Sequence, residues 1–332
     1  MKASYVVKRI LYTFLIFFIV VTLNFFIPRL GVDDPAERYF PPQGAMSDLE
    51  FEIIRQHVRR MYGFDVSTGQ QFLRYLRNLA RGDLGTSHQP GYPAVSALIA
   101  ERLPWTLVLS VTNLLISCFF GIIVGTYAAS KRGRPFDTGL LNASTVTTAL
   151  PSFFIALVFS LYLGFRWGVF PAYTDPNLVS GFTWSLRGIA HVAQNAALPI
   201  MAMSIGGIVG FGIGTRNSVI FVSNEDFILT ARAKGLSNSR VLYRHTLRNA
   251  LLPIVTSVGM SISGLIGGAV VIERIFNWHG MGTLFLNAND NNDFPLMMGI
   301  MLFLSAVALL ANLVTDLVYA FLDPRTVSEG RR

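Results

Sequence analysis

Charge is scarce in this chain. Asp, Glu, Lys and Arg make up 14% of its 332 residues, against about 25% in an ordinary soluble domain. Cysteine is nearly absent as well: the one residue, Cys118, sits inside an apolar run, which excludes an intrachain disulfide and a cysteine metal cluster. The five histidines, His57, His88, His191, His245 and His279, never stand at metal-ligand spacing, so no metal site is expected. No Gly-x4-Gly-Lys-Ser/Thr run follows a strand-like segment, which argues against nucleotide binding by this chain. A membrane enzyme would need clustered nucleophile, base or metal ligands, and no such cluster is visible.

Long apolar runs are what the chain does have. Hydrophobic residues reach 52% and the mean hydropathy is +0.48. About 20 apolar residues cross a bilayer, and several runs reach that length. The composition therefore predicts an all-α integral membrane protein with six transmembrane helices. Lys2, Lys8 and Arg9 precede the first run, Ile10 to Ile27. It exceeds a usual signal-peptide core and meets no small-x-small cleavage site before Pro28 and Arg29, so an uncleaved first span is expected. The other spans are expected at about Trp105–Ala129, Leu140–Trp167 (kinked at Pro151), Ala196–Ile220, Leu251–Ile272 and Leu296–Leu322.

Four regions follow: residues 1–30, 31–98, 99–322 and 323–332. The second is polar and has no spanning run. Ser47 with Glu50 reads as a capping box before the stripe Ile54, Val58 and Met61, ended by Gly63. Phe72, Leu76 and Leu79 form a second stripe, ended at Gly82. An external helical subdomain is expected here, since long loops cross the membrane largely regardless of their charge. Its aromatics Phe51, Tyr62, Phe64, Phe72 and Tyr75 are at helical spacing, which favours packing over sugar stacking.

The net charge of +8 is distributed by membrane side. The N-terminus, the 131–134 turn, residues 216–248 and the tail carry fifteen Lys plus Arg, while the short loops 168–194 and 273–294 carry only Arg187 and Arg274. That asymmetry puts both termini and the 216–248 stretch in the cytoplasm and makes nucleic acid an unneeded partner.

The polar stretch from Ser223 to Pro253 stands out. Ser223 with Asp226 three residues on reads as a helix start, Gly235 as a left-handed stop, Ser237 as a second start and Pro253 as a second stop. Its cations, Arg232, Lys234, Arg240, Arg244 and Arg248, suit a phospholipid surface equally well. However, Thr230, Ala231, Ala233 and Gly235 are too small for a membrane-inserting face. Small residues let another protein approach closely, so a helix–turn–helix docking surface over 223–253 is expected. In the fourth span Gly206, Gly210 and Gly214 read as a packing ridge. Ser257, Ser261 and Ser263 in the fifth either line a polar passage or pack against a neighbour. Asp316 in the last span is expected in a structural ion pair with Arg216 or Arg325 rather than in a proton relay.

The runs TARAKGL and RHTLRNALLP resemble the ATPase-contacting loop of binding-protein-dependent ABC importer permeases of the dipeptide/oligopeptide/nickel group. GFD, QFLRYLRNLARGDLGTS and RLPWTLVLS resemble that group's external region and second-span entrance. ERIFNWHGMGTLF, NDFPLMMGI and DLVYAFLDPR resemble its last external loop and last span. The likeness covers nearly the whole chain. One departure is that the general Glu-Ala-Ala positions hold Leu229, Thr230 and Ala231, with Pro253 further from Gly235 than in sugar-type permeases.

The resemblance implies a membrane subunit with no catalytic site and no cofactor of its own. Its partners would be a second homologous permease, one or two ABC ATPase subunits that bind ATP and Mg, an external substrate-binding protein and membrane lipid. Glu225, Thr230, Ala231, Arg232, Ala233, Lys234, Gly235 and Leu236 would form the ATPase-coupling contact. Peptides would be the cargo, with oligosaccharides or nickel as alternatives. An ATP-independent channel or secondary carrier would call for internal repeats or broken helices meeting at mid-membrane, and no repeat links the two halves.

Overall fold

The computed structural model describes residues 3–29, 50, 52–53, 56, 66–87, 91, 93–264 and 269–322. Among them every regular element is helical, apart from an isolated bridge between Thr86 and Ala94. In chain order these are α1 (Ala3–Phe26), α2 (Thr68–Ala80), α3 (Val95–Ser130), α4 (Pro135–Ala149) and α5 (Ser152–Phe159). There follow α6 (Leu186–Val222), α7 (Asp226–Ala233), α8 (Asn238–Arg240), α9 (Leu252–Gly264), α10 (Val270–Ile275), α11 (Met281–Asp290) and α12 (Phe294–Leu322). Shorter segments extend these: a 3-10 turn Ile27–Arg29 after α1, π-helical Ser160–Arg166 after α5, and π-helical Val241–Thr246 after α8, continued by the helical turn Leu247–Ala250.

Among the described residues, four helices are long and apolar enough to cross a membrane: Val6–Phe26, Val95–Ser130, Leu186–Val222 and Phe294–Leu317. The bent pair Pro135–Ala149 and Ser152–Arg166 would make a fifth. This is a multi-pass membrane protein whose described regular elements are helices. At about 1.5 Å per residue, α3 extends about 54 Å, well beyond the ~30 Å hydrocarbon core. It begins at Val95, ten residues before the expected Trp105, and carries Pro104 within it.

The third expected span is where the sequence reading needs most correction. Instead of one kinked helix, α4 and the α5 segment meet at 93°. The residue before a proline is pushed out of the helical region, and Leu150 (ψ 116) and Pro151 (ψ 140) are both extended. The fifth expected span contains the 13-residue α9; residues 265–268 lie outside the described set.

The described residues form two compact units. One comprises residues 7–102 and 284–307. Its core holds Phe25, Val95, Ile99, Leu296 and Ile300, all buried. Phe72 and Tyr75 of α2 pack on Phe25, with ring centroids 5.2 and 5.5 Å away, so these two aromatics serve packing, as the spacing suggested. Phe51, Tyr62 and Phe64, like the Ile54, Val58 and Met61 stripe, lie outside the described residues. The buried Asn24 donates to the Met298 carbonyl at 2.9 Å. Ser87 Oγ donates to the buried Asp293 carboxylate, which also accepts from the Leu296 N–H.

The other unit comprises residues 103–283 with 1–6 and 308–332. One core joins Ala156 of α5 to Leu198 and Ala202 of α6 and to Ile272 and Phe276. A second joins Leu109, Leu178, Ala196 and Trp278. The close crossing of α3 with α6 does not use the glycine row expected from sequence. A Cβ on Gly206 or Gly210 would meet no described atom within 4 Å, and one on Gly214 would make only an ordinary contact with Ile254. Gly121, Gly125 and Gly207 do that work instead: a Cβ on Gly121 would strike Phe211, one on Gly125 the Gly212 carbonyl, and one on Gly207 the Ser117 side chain. Small residues at a crossing let helix backbones approach, but only those turned toward the neighbour count.

Candidate functional site

The 223–253 stretch folds as two short helices around a glycine turn. Its start differs from the sequence reading. Ser223 does not open α7; it ends α6, with both its N–H and its Oγ bonded back to the Val219 carbonyl at 2.9 and 2.7 Å. A serine that bonds backward in this way extends the preceding helix rather than starting the next. Glu225 takes the N-cap position of α7, in extended conformation (ψ 147), with Asp226 in the first turn. Gly235 has φ +76°, the left-handed conformation that stops a helix at low cost only for glycine. Ser237 then stands at the N-cap position of α8, where the spacing predicted a second start, without a side-chain capping bond. That helical path continues through Leu247–Ala250 and breaks at Leu251, and Pro253 lies in the first turn of α9, where its missing N–H costs nothing.

A small apolar core closes the motif on itself. Ile228, Ala231 and Val241 are buried together, with Leu236 packed against them. Ala231 thus faces inward, and its small size lets α7 sit close to the chain after Gly235. Outward lie Glu225, Phe227, Leu229, Thr230, Arg232, Ala233, Lys234 and Gly235, all exposed. Phe227, Thr230 and Lys234 recur at helical spacing on that face. Tyr243, 58% exposed, and the exposed Arg240, Arg244 and Arg248 belong to the following segment. Large exposed apolar groups among cations on a self-closed motif form a surface suited to protein contact. Beside it, a cavity of about 280 Å³ is lined by residues including Arg132, Asn224, Arg232, Asn238 and Thr246.

Arg216 does not lie free for Asp316. Its Nε donates to Asp137 Oδ1 and its Nη2 to Asp137 Oδ2 at 2.9 Å, a two-point fork. Asp316 is half-buried in α12, and Arg325 lies outside the described residues. Ser257 is exposed and bonds the Pro253 carbonyl of its own helix at 3.1 Å, as Ser261 bonds Ser257 at 2.8 Å. The Ser263 side chain is outside the described set.

Sequence reasoning passed over a second polar centre, built around Glu273. This carboxylate is fully buried, and accepts from Thr106 Oγ1 at 2.7 Å and from the N–H groups of Gly282 and Thr283 at 2.7 and 3.1 Å. Burial pushes the Glu273 carboxyl above its ordinary range, and these hydrogen bonds pull it part of the way back. Thr106 Oγ1 accepts in turn from the Met281 N–H, and Trp278 Nε1 donates to the Trp105 carbonyl. A Cβ on Gly280 would collide with the carboxylate. The available signal was a lone acid followed by Trp278, Gly280 and Gly282 in the run ERIFNWHGMG.

Multiple membrane-crossing helices and a self-closed helical motif with an exposed contact face fit a subunit of a membrane transport system. The chain belongs to the family described as "Binding-protein-dependent transport system inner membrane component", whose model matches residues 121–328. It is 32% identical over 323 residues to the oligopeptide transport system permease protein AppB of Bacillus subtilis, covering 97% of this chain and 99% of that one. The oligopeptide transport system permease protein OppB of Haemophilus influenzae is 32% identical over 328 residues, with 97% and 98% covered. The glutathione transport system permease protein GsiC of Salmonella paratyphi A is also 32% identical, over 321 residues, with 97% and 98% covered.

Proposed function

We propose that this chain forms half of the translocation pathway of an ATP-driven importer for peptides delivered by an external binding protein. Six spans, both termini in the cytoplasm and the 223–253 stretch on the cytoplasmic side complete this reading. The observation that carries it is the outward face of Phe227, Leu229, Thr230, Ala233 and Lys234 on a motif whose own core is already closed. Such a face has apolar area left over for a partner, and an ABC ATPase is the partner that the family requires.

In this reading Glu225, Thr230, Arg232, Ala233, Lys234 and Gly235 meet the ATPase, while Ala231 and Leu236 hold the motif together. ATPase closure pushes a rigid lever, and rigid-body rocking of the spans alternates access. Catalysis, ATP and Mg belong to the ATPase, and a second permease supplies the other half of the path. Ser257 on the exposed side of α9 is the pathway candidate, with Ser261 and Ser263, and Asp316 is a structural ion-pair candidate. The peptide and glutathione permeases among its relatives favour peptides over oligosaccharides or nickel.

The test is reconstitution with the cognate permease, ATPases and binding protein in vesicles. ATP-dependent uptake of short peptides supports the reading. Uptake driven by an ion gradient without ATP, or labelling of a cysteine placed at Ser237 only from the outer side, overturns it.

A further inference from the structure

We infer that the Asp137–Arg216 pair is a positioning link that makes the 131–137 turn move with α6 when the 223–253 stretch is pushed. This rests on the coupling reading above and adds the route by which the push leaves the stretch.

Three features converge on the pair. First, the geometry is a fork: both Asp137 oxygens accept from Arg216, and Oδ2 also accepts from the Gly133 N–H at 2.9 Å. Asp137 is 2% exposed, so water does not compete for it. Gly133 has φ +75°, so the turn between α3 and α4 is tight, and its backbone is tied to the same carboxylate. Second, the pair stands beside a close crossing of α3 with α6. A Cβ on Gly125 would overlap the Gly212 carbonyl and crowd Thr215 and the Arg216 N–H. α3 and α6 therefore touch backbone to backbone one turn from Arg216, and Leu140 of α4 lies against Gly212.

Third, α6 runs unbroken from Arg216 to Val222 and enters α7 within three residues. The helical segment ending at Ala250 is also braced on α6, since Ala250 is fully buried and Ile254 packs at Gly214. A displacement of the stretch therefore reaches α6 directly. Packing alone would let α6 slide past the turn. A two-point charged fork resists that sliding, because breaking it leaves the buried Asp137 carboxylate without its half-buried cation.

The experiment uses the full importer, reconstituted with its cognate subunits, and reads substrate molecules transported per ATP hydrolysed. Asp137→Asn, which removes the charge and keeps the shape, should lower that ratio roughly tenfold while ATP hydrolysis and subunit assembly persist. Arg216→Lys, which keeps the charge and loses the fork, should lower it by less. The double variant Asp137→Asn/Arg216→Gln should be no worse than Asp137→Asn alone. A merely structural pair would lower the amount of assembled complex and leave the ratio of the surviving complex unchanged, and that result in either single variant overturns the link. If Asp137→Asn fails to assemble, Arg216→Lys decides alone by the same ratio. Failure of the unmodified complex to take up substrate with ATP would instead sink the coupling reading itself.

Discussion

The 223–253 stretch and the 273–283 segment are both short, polar connections built from small helices, yet they are finished differently. In the first, three apolar side chains close a minimal core, and Phe227, Leu229 and Tyr243 are left outside among cations. In the second, the largest groups turn inward: Trp278, Phe276 and Met281 are buried, and a fully buried carboxylate collects two backbone N–H groups and a hydroxyl. One connection is packed into the cores of its own unit, and the other keeps contact area in reserve. Polar residues in a membrane subunit can therefore mean opposite things. Where hydrogen bonds are satisfied internally, they fix geometry; where apolar area stays exposed on a rigid motif, they announce a partner.

The comparison breaks most easily at Glu273. Glu273→Ala leaves the Gly282 and Thr283 N–H groups and the Thr106 hydroxyl buried without their acceptor, which should cost about 3 kcal/mol or more. Thermal unfolding in detergent should show a large loss of Tm, and Glu273→Gln, which keeps one acceptor, a smaller one. An unchanged Tm for Glu273→Ala would mean that the buried carboxylate does not hold this segment in place.

Gly235 comes next. Gly235→Ala puts a Cβ into the left-handed region at a cost of about 1–2 kcal/mol, with open space around it. Gly235→Glu adds a charge to the outward face and should abolish ATP-driven uptake while the subunit still folds; intact uptake would remove Gly235 from the coupling contact. On the same face, Leu229→Asp should change stability by no more than about 0.5 kcal/mol, as for an ordinary surface site. It should nevertheless reduce ATPase copurification severalfold or more, since a central apolar anchor carries a large share of binding. Retention of the ATPase at its normal level would count against the face.

The smallest effect is set by pH. Asp175 accepts from the Asn177 N–H at 2.9 Å and pairs with His191 at 3.0 Å, which holds its carboxyl below the ordinary value. Its folded value is depressed, so its contribution is present above about pH 4. That contribution disappears as pH falls through the lower, folded value. Glu273 has the opposite sign: its folded value is raised, so stability falls as pH rises through it. Unfolding scans of Asp175→Asn against the unmodified chain should therefore converge at acid pH and separate slightly near neutrality.

Much of this could be read from residue order. The apolar runs marked the membrane-crossing helices, Gly235 marked a left-handed stop, and Ser237 marked the helix start after it, because these depend on local backbone preference and on hydrophobic length. Other features could not. Ser223 was equally able to bond forward or backward, and only the continuation of α6 decided for backward. Gly206, Gly210 and Gly214 had the right spacing for a ridge, but spacing does not say which face of a helix meets its neighbour. Pro151 signalled a bend and not its 93° size.

Sequence by itself determined the class: a chain short of charge, rich in bilayer-length apolar runs and carrying an asymmetric spread of cations has few ways to satisfy its backbone except as membrane helices. Tertiary structure alone decided the partnerships: Asp137 with Arg216, 79 residues apart, and Thr106 with Glu273, 167 apart. A buried charge or hydroxyl must find a partner somewhere, but which one it finds depends on which helices cross, and no local signal carries that information.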